Sequence, residues 1–185
     1  MPDIASPYDE HLTHERAAKD AFFRGSANSP IPMRDRAQFD GLAYYPVDRV
    51  WRFEELRLTE LAGDADTAFK IATSDGGSRS ARRLGALTFP LRGRPRTLVA
   101  YDLGSGDGSL FVPFLDATSG TETYGAGRYL DLHPEPDGTF VLDFNDAYHP
   151  YCAYSPDFSC PLTPAENRLP DRIEAGERLA VGEAR

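Results

Sequence analysis

Between Leu42 and Phe144 the chain is a succession of short segments rich in aromatic and β-branched residues, with turn clusters between them and no helical period. Tyr44-Tyr45-Pro46-Val47 and Val50-Trp51-Arg52-Phe53 open the series. Thr67 to Thr73, Arg82 to Leu91, Arg96 to Asp102 and Ser109 to Leu115 continue it. The intervening Ser74-Asp75-Gly76-Gly77, Arg92-Gly93-Arg94-Pro95 and Gly104-Ser105-Gly106-Asp107-Gly108 carry what tight turns favour: glycine in all three, proline in the second, and short polar side chains that bond their own backbone in the first and third. The plainest hairpin signal comes last: Gly127 to Leu132 and Thr139 to Phe144 flank Pro134-Glu135-Pro136-Asp137-Gly138. Within it Tyr129 is in phase with Asp131, and Leu130 with Leu132, as in a strand with two unlike faces. A run of short strands with no helix between them predicts a mainly β fold, either an antiparallel β-barrel or a two-sheet sandwich.

Helix signals are confined to the start. Ser6 is suited to cap a helix, Pro7 to its first position, and Asp9 and Glu10 to the positive end of the helix dipole. Leu12, Ala18, Phe22 and Phe23 form an incomplete apolar stripe, and Gly25 supplies the stop. A second, short helix is expected from Met33 to Phe39. After Phe144 periodicity disappears, and Pro150, Pro156, Pro161, Pro164 and Pro170 punctuate the chain. So long an irregular stretch is uncommon in a compact domain unless it is functional or disordered. Its tyrosines, Phe158 and both cysteines argue for order, as a lid or belt. The expected organisation is therefore a single domain over 1–185. It comprises a helical segment over 1–41, a β core over 42–144, an irregular, Pro-rich, ordered belt over 145–170, and a terminal strand and tail over 171–185, fraying from Gly182 to Arg185.

Charge narrows the function. With 29 acidic and 20 basic residues, the net charge of −9 opposes both the nucleic-acid backbone and an anionic membrane. Met1 to Asp9 has neither a basic nor an apolar leader, and no stretch approaches a membrane span, so a cytoplasmic location with reduced thiols is expected. Only Lys19 and Lys70 are lysines, the remaining cations being arginines. An exposed sheet edge leaves homo-oligomerisation open.

Several longer strings carry a resemblance. Leu110-Phe111-Val112-Pro113-Phe114-Leu115-Asp116-Ala117-Thr118-Ser119-Gly120, then Glu122-Thr123-Tyr124-Gly125 and Gly127-Arg128-Tyr129-Leu130-Asp131, form its centre. Asp143-Phe144-Asn145, Tyr148, Pro150-Tyr151-Cys152-Ala153-Tyr154, Cys160-Pro161-Leu162, Pro164 and Glu166-Asn167-Arg168-Leu169-Pro170 extend it. Lys19-Asp20-Ala21-Phe22-Phe23, Ser29-Pro30 and Phe39-Asp40-Gly41-Leu42 add to it near the start. Together they resemble the domain-of-unknown-function 1684 family of prokaryotes over nearly the whole chain. His149 departs from the pattern, standing where the family has asparagine. The resemblance implies a small, mainly β domain and transfers no activity.

Four constellations offer chemistry. The glycine-rich run from Thr118 to Arg128 can aim backbone N–H groups and an arginine fork at an anion, or simply bend the chain beside an internal Arg128 pair. Asp131 and Asp143, on the two arms of the expected hairpin, would perturb each other's protonation if they faced one another, while Arg128, Asn145 or Arg168 would neutralise them in a bracing network. His149 and Cys152 have ligand-like spacing, with Cys160 further on, so zinc is an alternative that lacks a second ligand pair. Glu166-Asn167-Arg168 lies downstream of Tyr148, Tyr151 and Tyr154, which would supply an aromatic wall. The expectation is a protein that binds a small polar or anionic metabolite between the 127–144 hairpin and the 145–170 loop. Arg128, Tyr129, Asp131, Asn145, Tyr148, Asn167 and Arg168 would contact the ligand, and no cofactor is expected. The alternatives are an enzyme of small-molecule metabolism using Asp143 and Glu166 for acid/base or hydrolytic chemistry, and a structural or interaction module without a ligand.

Overall fold

A computed structural model describes residues 6–61 and 68–180. Thr67, at the head of one expected strand, and the tail from Gly182 to Arg185 lie outside the described residues. Helix α1 (Pro7–Gly25) begins where the cap predicts: Ser6 Oγ accepts the N–H of Asp9 at 3.3 Å, while the Asp9 carboxylate accepts the N–H of Ser6 at 3.1 Å. This reciprocal box satisfies two otherwise orphaned donors. The second expected helix reduces to a 3-10 turn, Arg36–Gln38. Its Arg36 side chain bonds the carbonyls of Ile31 and Ser26, tying the segment down as a loop, and Met33 is 81% exposed, so no apolar face rewards a longer helix.

The strands are β1 (Ala43–Tyr44), β2 (Arg52–Leu56), β3 (Ala68–Ala72), β4 (Ser78–Leu91), β5 (Arg94–Asp102), β6 (Leu110–Phe114), β7 (Arg128–Leu132), β8 (Phe140–Asp143) and β9 (Glu177–Arg178). Among the described residues, β3 to β7 form one antiparallel sheet in chain order, β2 pairs with β8, and β1 with β9. The large sheet ends on β3 and β7, so the fold is sandwich-like and there is no closed barrel. The expected hairpin is also replaced. Strands β7 and β8 belong to different sheets, and the Pro134–Gly138 turn carries the chain from one to the other. Both strands put large apolar side chains into the same core, which face-to-face packing buries more fully than edge pairing.

That core joins Leu87, Leu98, Val112 and Leu130 of the large sheet to Leu142, Phe144 and Ile173 beyond it, all nearly inaccessible. Each such side chain contributes roughly 1.5–3 kcal/mol by leaving water. The opposite face of the large sheet presents Val99, Tyr101, Phe111 and Tyr129, which cluster with Ile71 and Ala81. Onto this face comes the chain after Phe144, through 3-10 turns at Tyr151–Ala153 and Ala165–Asn167. Bridges join Tyr129 to Tyr148, Thr73 to Pro161 and Leu115 to Arg168. A bulge in β4 admits the backbone of Thr59 at Gly85, where a Cβ would stand 2.6 Å from the Thr59 carbonyl oxygen.

Candidate functional site

Strand β7 divides its side chains between the two faces. Tyr129 and Asp131 point away from the main core, where the backbones of Tyr129 and Tyr148 exchange hydrogen bonds of 2.9 and 3.1 Å. The Tyr129 ring meets Phe111 edge-on, with centroids 4.8 Å apart, and Tyr148 at 5.7 Å; its hydroxyl donates to the Pro161 carbonyl. Tyr148 donates to the Asp131 carboxylate at 2.5 Å, and burial together with that negative charge holds the phenol protonated. Between β7 and the segment from Tyr148 to Pro161 lies a cleft of about 520 Å³, walled by Phe111, Tyr151 and Phe158 and bordered by Lys19, Arg79 and Asp131.

A second cleft, of about 550 Å³, lies between α1 and residues 145–151. Lys19, Tyr148 and Tyr151 line both. Lys19 binds the 1%-exposed carboxylate of Glu177 and rests over the Tyr148 ring, 4.8 Å from its centroid. Glu177 also accepts from the His149 N–H at 2.7 Å and the Tyr154 hydroxyl at 2.8 Å. With Glu177 so fully engaged, its oxygen 3.8 Å from His149 Nδ1 does not charge the ring: burial, then the positive charges of Arg128 and Lys19, push the imidazole down to about 3. His149 Nε2 accepts the N–H of Tyr124. Asp146 lines the second cleft, and loss of hydration around its carboxylate, reinforced by the negative charge of Asp143, pushes its carboxyl up to about 6.

Of the expected contact residues, Tyr129, Asp131 and Tyr148 come together, and the others are placed elsewhere. Arg128 is wholly buried. Its guanidinium donates to the carbonyls of Ile173, Ala175 and Glu177 and pairs with Asp116; its Nε has no partner, but the whole side chain is buried away from either cleft's opening to solvent. Asp131 and Asp143 do not face each other: Asp131 is exposed, whereas buried Asp143 accepts from Tyr8, Arg52 and Asn145 near the start of α1. Asn145 also donates to the Asp48 carbonyl. Asn167 is fully buried as a clip between strands, bonding both backbone groups of Val99 and the Pro113 carbonyl. Glu166 accepts from Arg83 and Tyr101, so it shares no partner with Asp143; Arg168 is exposed beside Leu115. Among the described residues no group of three or more His, Cys, Asp or Glu side chains is placed to hold a metal ion.

Tyr151 stands in the cleft wall, as part of the aromatic wall expected there, whereas Lys19, Arg79, Phe158 and Glu177 belong to the site or its base and were not among the expected contacts. Lys19 had a signal, being one of two lysines in an arginine-rich chain. Glu177 had none, since its partner lies 158 residues away.

No curated protein matches the chain. In structure it is similar to an uncharacterized protein of Haloarcula marismortui solved in solution by NMR, 38% identical, with a TM-score of 0.71 over 95% of this chain and 96% of that one. The family model for proteins of unknown function designated DUF1684 matches residues 37–178, from just before β1 through β9. On that match the chain belongs to the DUF1684 family.

Proposed function

We propose that the protein binds a small polar or anionic molecule in the cleft between β7 and the segment from Tyr148 to Pro161. One observation carries the reading: flat aromatic walls from Phe111, Tyr151 and Phe158 meet charged groups of both signs, Arg79, Lys19 and Asp131, in a concavity large enough for a metabolite. A planar or apolar body would lie between the rings. An anionic end would take the guanidinium of Arg79 in a forked hydrogen bond, the role first expected of Arg128. Asp131, oriented by Tyr148, would accept a donor on the same molecule. Asp143 and Glu166 play no part, because they lie in separate networks.

Native mass spectrometry of freshly purified protein tests the idea, a co-purifying small molecule being the expected result. Arg79→Gln and Asp131→Asn are then expected to lower its occupancy at least tenfold with the melting temperature unchanged. Full occupancy in both variants would sink the assignment. So would an empty parent protein whose melting temperature no fraction of a metabolite extract shifts.

A further inference from the structure

Cys152 and Cys160 stand at the two ends of the loop that carries Phe158 into the cleft wall, and both are free thiols. The backbone N–H of Cys152 donates to Cys160 Sγ at 3.3 Å. One sulfur therefore already lies against the other residue's backbone, within a side-chain rotation of bonding distance. The fold imposes this nearness from both sides. Cys152 sits in the 3-10 turn Tyr151–Ala153, closed by the Ala153 N–H on the Pro150 carbonyl. Cys160 is clipped to the turn between β3 and β4, its N–H donating to Ser74 Oγ at 3.0 Å and its carbonyl accepting the Ser74 N–H at 2.9 Å.

Access differs between the two. Cys152 is partly exposed, while Cys160 is 8% exposed and lines the cleft. Cys152, the more accessible sulfur, reacts first; burial pushes the Cys160 thiol up to about 11 and keeps it protonated.

We infer that Cys152 and Cys160 form a peroxide-oxidisable dithiol, with Cys152 the attacking and Cys160 the resolving residue. Cys152, having lost its proton to water, attacks one oxygen of hydrogen peroxide. The O–O bond breaks, the departing hydroxide takes up a proton as water, and Cys152 is left as the sulfenic acid. The Cys160 sulfur then attacks the Cys152 sulfur. An S–S bond forms, the S–O bond breaks, and the hydroxyl leaves with the Cys160 proton as a second water. Peroxide gains two electrons and the dithiol loses two. The closed bond would hold both ends of the loop between Tyr151 and Pro161 and stiffen one wall of the cleft. None of this requires the cleft to hold a ligand.

The experiment treats the folded protein, the urea-unfolded chain and the variants Cys152→Ser and Cys160→Ser with stoichiometric hydrogen peroxide, then reads intact mass, titratable thiols and dimedone labelling. The folded parent is expected to become lighter by two hydrogens, to lose both thiols, and to do so at least tenfold faster than the unfolded chain. Cys160→Ser, lacking the resolving thiol, is expected to accumulate a dimedone-reactive sulfenic acid, and Cys152→Ser to resist oxidation. Retention of both thiols in the folded parent, oxidation only to species with added oxygen, or equal rates folded and unfolded would each overturn the inference. Labelling of Cys152→Ser in place of Cys160→Ser would overturn the order of attack.

Discussion

The most deeply placed polar side chains brace the fold. Asn167 spends its amide on three backbone groups of neighbouring strands, and Asn167→Ala would strand the Val99 N–H and two carbonyls out of reach of water. At about 1–3 kcal/mol for a buried group left without a partner, the substitution is expected to cost about 3 kcal/mol or more, read as a fall in the urea midpoint with unchanged m. His149 gives a prediction in pH. Folded, it stays neutral down to about 3, whereas its ordinary value is 6.5, so between these limits the unfolded state binds the extra proton. Stability contributed by the neutral ring is present above pH 6.5 and is lost on acidification, by about 1.4 kcal/mol per pH unit at full slope. Asp146 opposes it: raised from 3.8 to about 6, it favours the folded state at low pH and loses that contribution as pH rises through 6. His149→Gln removes only the first effect. Its stability relative to the parent is therefore expected to improve steadily from pH 6.5 towards 4 in urea titrations, and a constant difference would show the ring to be protonated in the fold. Arg128 shows how much was legible at this scale. It is in phase with Leu130 and Leu132, not with Tyr129 and Asp131, so alternation alone assigns it to the core. Which carbonyls would receive it was invisible, because Ile173, Ala175 and Glu177 are more than forty positions away.

Elements were readable where their cause is local. The cap at Ser6, the strand candidates and the turns at Ser74, Arg92 and Gly104 all follow from short-range steric and hydrogen-bond preferences, and the observed strands β4, β5 and β6 lie within a few residues of the expected ones. Pairing was not local. The turn chemistry of Pro134 to Gly138 is genuine, with the Gly138 N–H on the Glu135 carbonyl, yet the strands it joins pair with β6 and β2 instead of each other. A tight turn states only that the chain reverses; the burial of both strands decides what lies beside them. Gly176 shows the same dependence on remote packing. Its φ of +73° disfavours any side chain, and a Cβ there would stand 2.6 Å from the carbonyl oxygens of both Phe144 and Ala147. Gly176→Ala is expected to cost about 2–4 kcal/mol, through backbone strain and displacement of residues 144–147, and to lower the melting temperature by about 4–16 °C. Alanine at Gly93, whose Cβ would meet nothing within 4 Å, serves as the comparison with a positive φ alone.

Across the whole molecule, parts from both ends of the chain line the two clefts, α1 on one side and the segment after Phe144 on the other, and an ion pair joins those ends. Lys19 of α1 reaches Glu177 of β9, and the same carboxylate holds the His149 N–H and the Tyr154 hydroxyl, so helix, terminal strand and the segment beneath them meet at one buried charge. Burying that carboxylate is costly, and its attraction to Lys19 offsets the cost only while both are present. Lys19→Met keeps most of the aliphatic stem against Tyr148 and Phe23 but leaves the charge of Glu177 unpaired, an expected loss of about 3–5 kcal/mol. Glu177→Gln removes the charge while keeping an acceptor for His149 and Tyr154, and it leaves the ammonium, 27% exposed, able to turn to water; its expected cost is smaller. The double variant discriminates most sharply. If the pair acts as a unit, adding Glu177→Gln to Lys19→Met recovers part of the stability lost, giving a coupling energy above about 1 kcal/mol in urea unfolding. Additive losses would mean that α1 is held by its apolar stripe, Leu12 and Phe23, and that the cleft it borders does not depend on the ion pair.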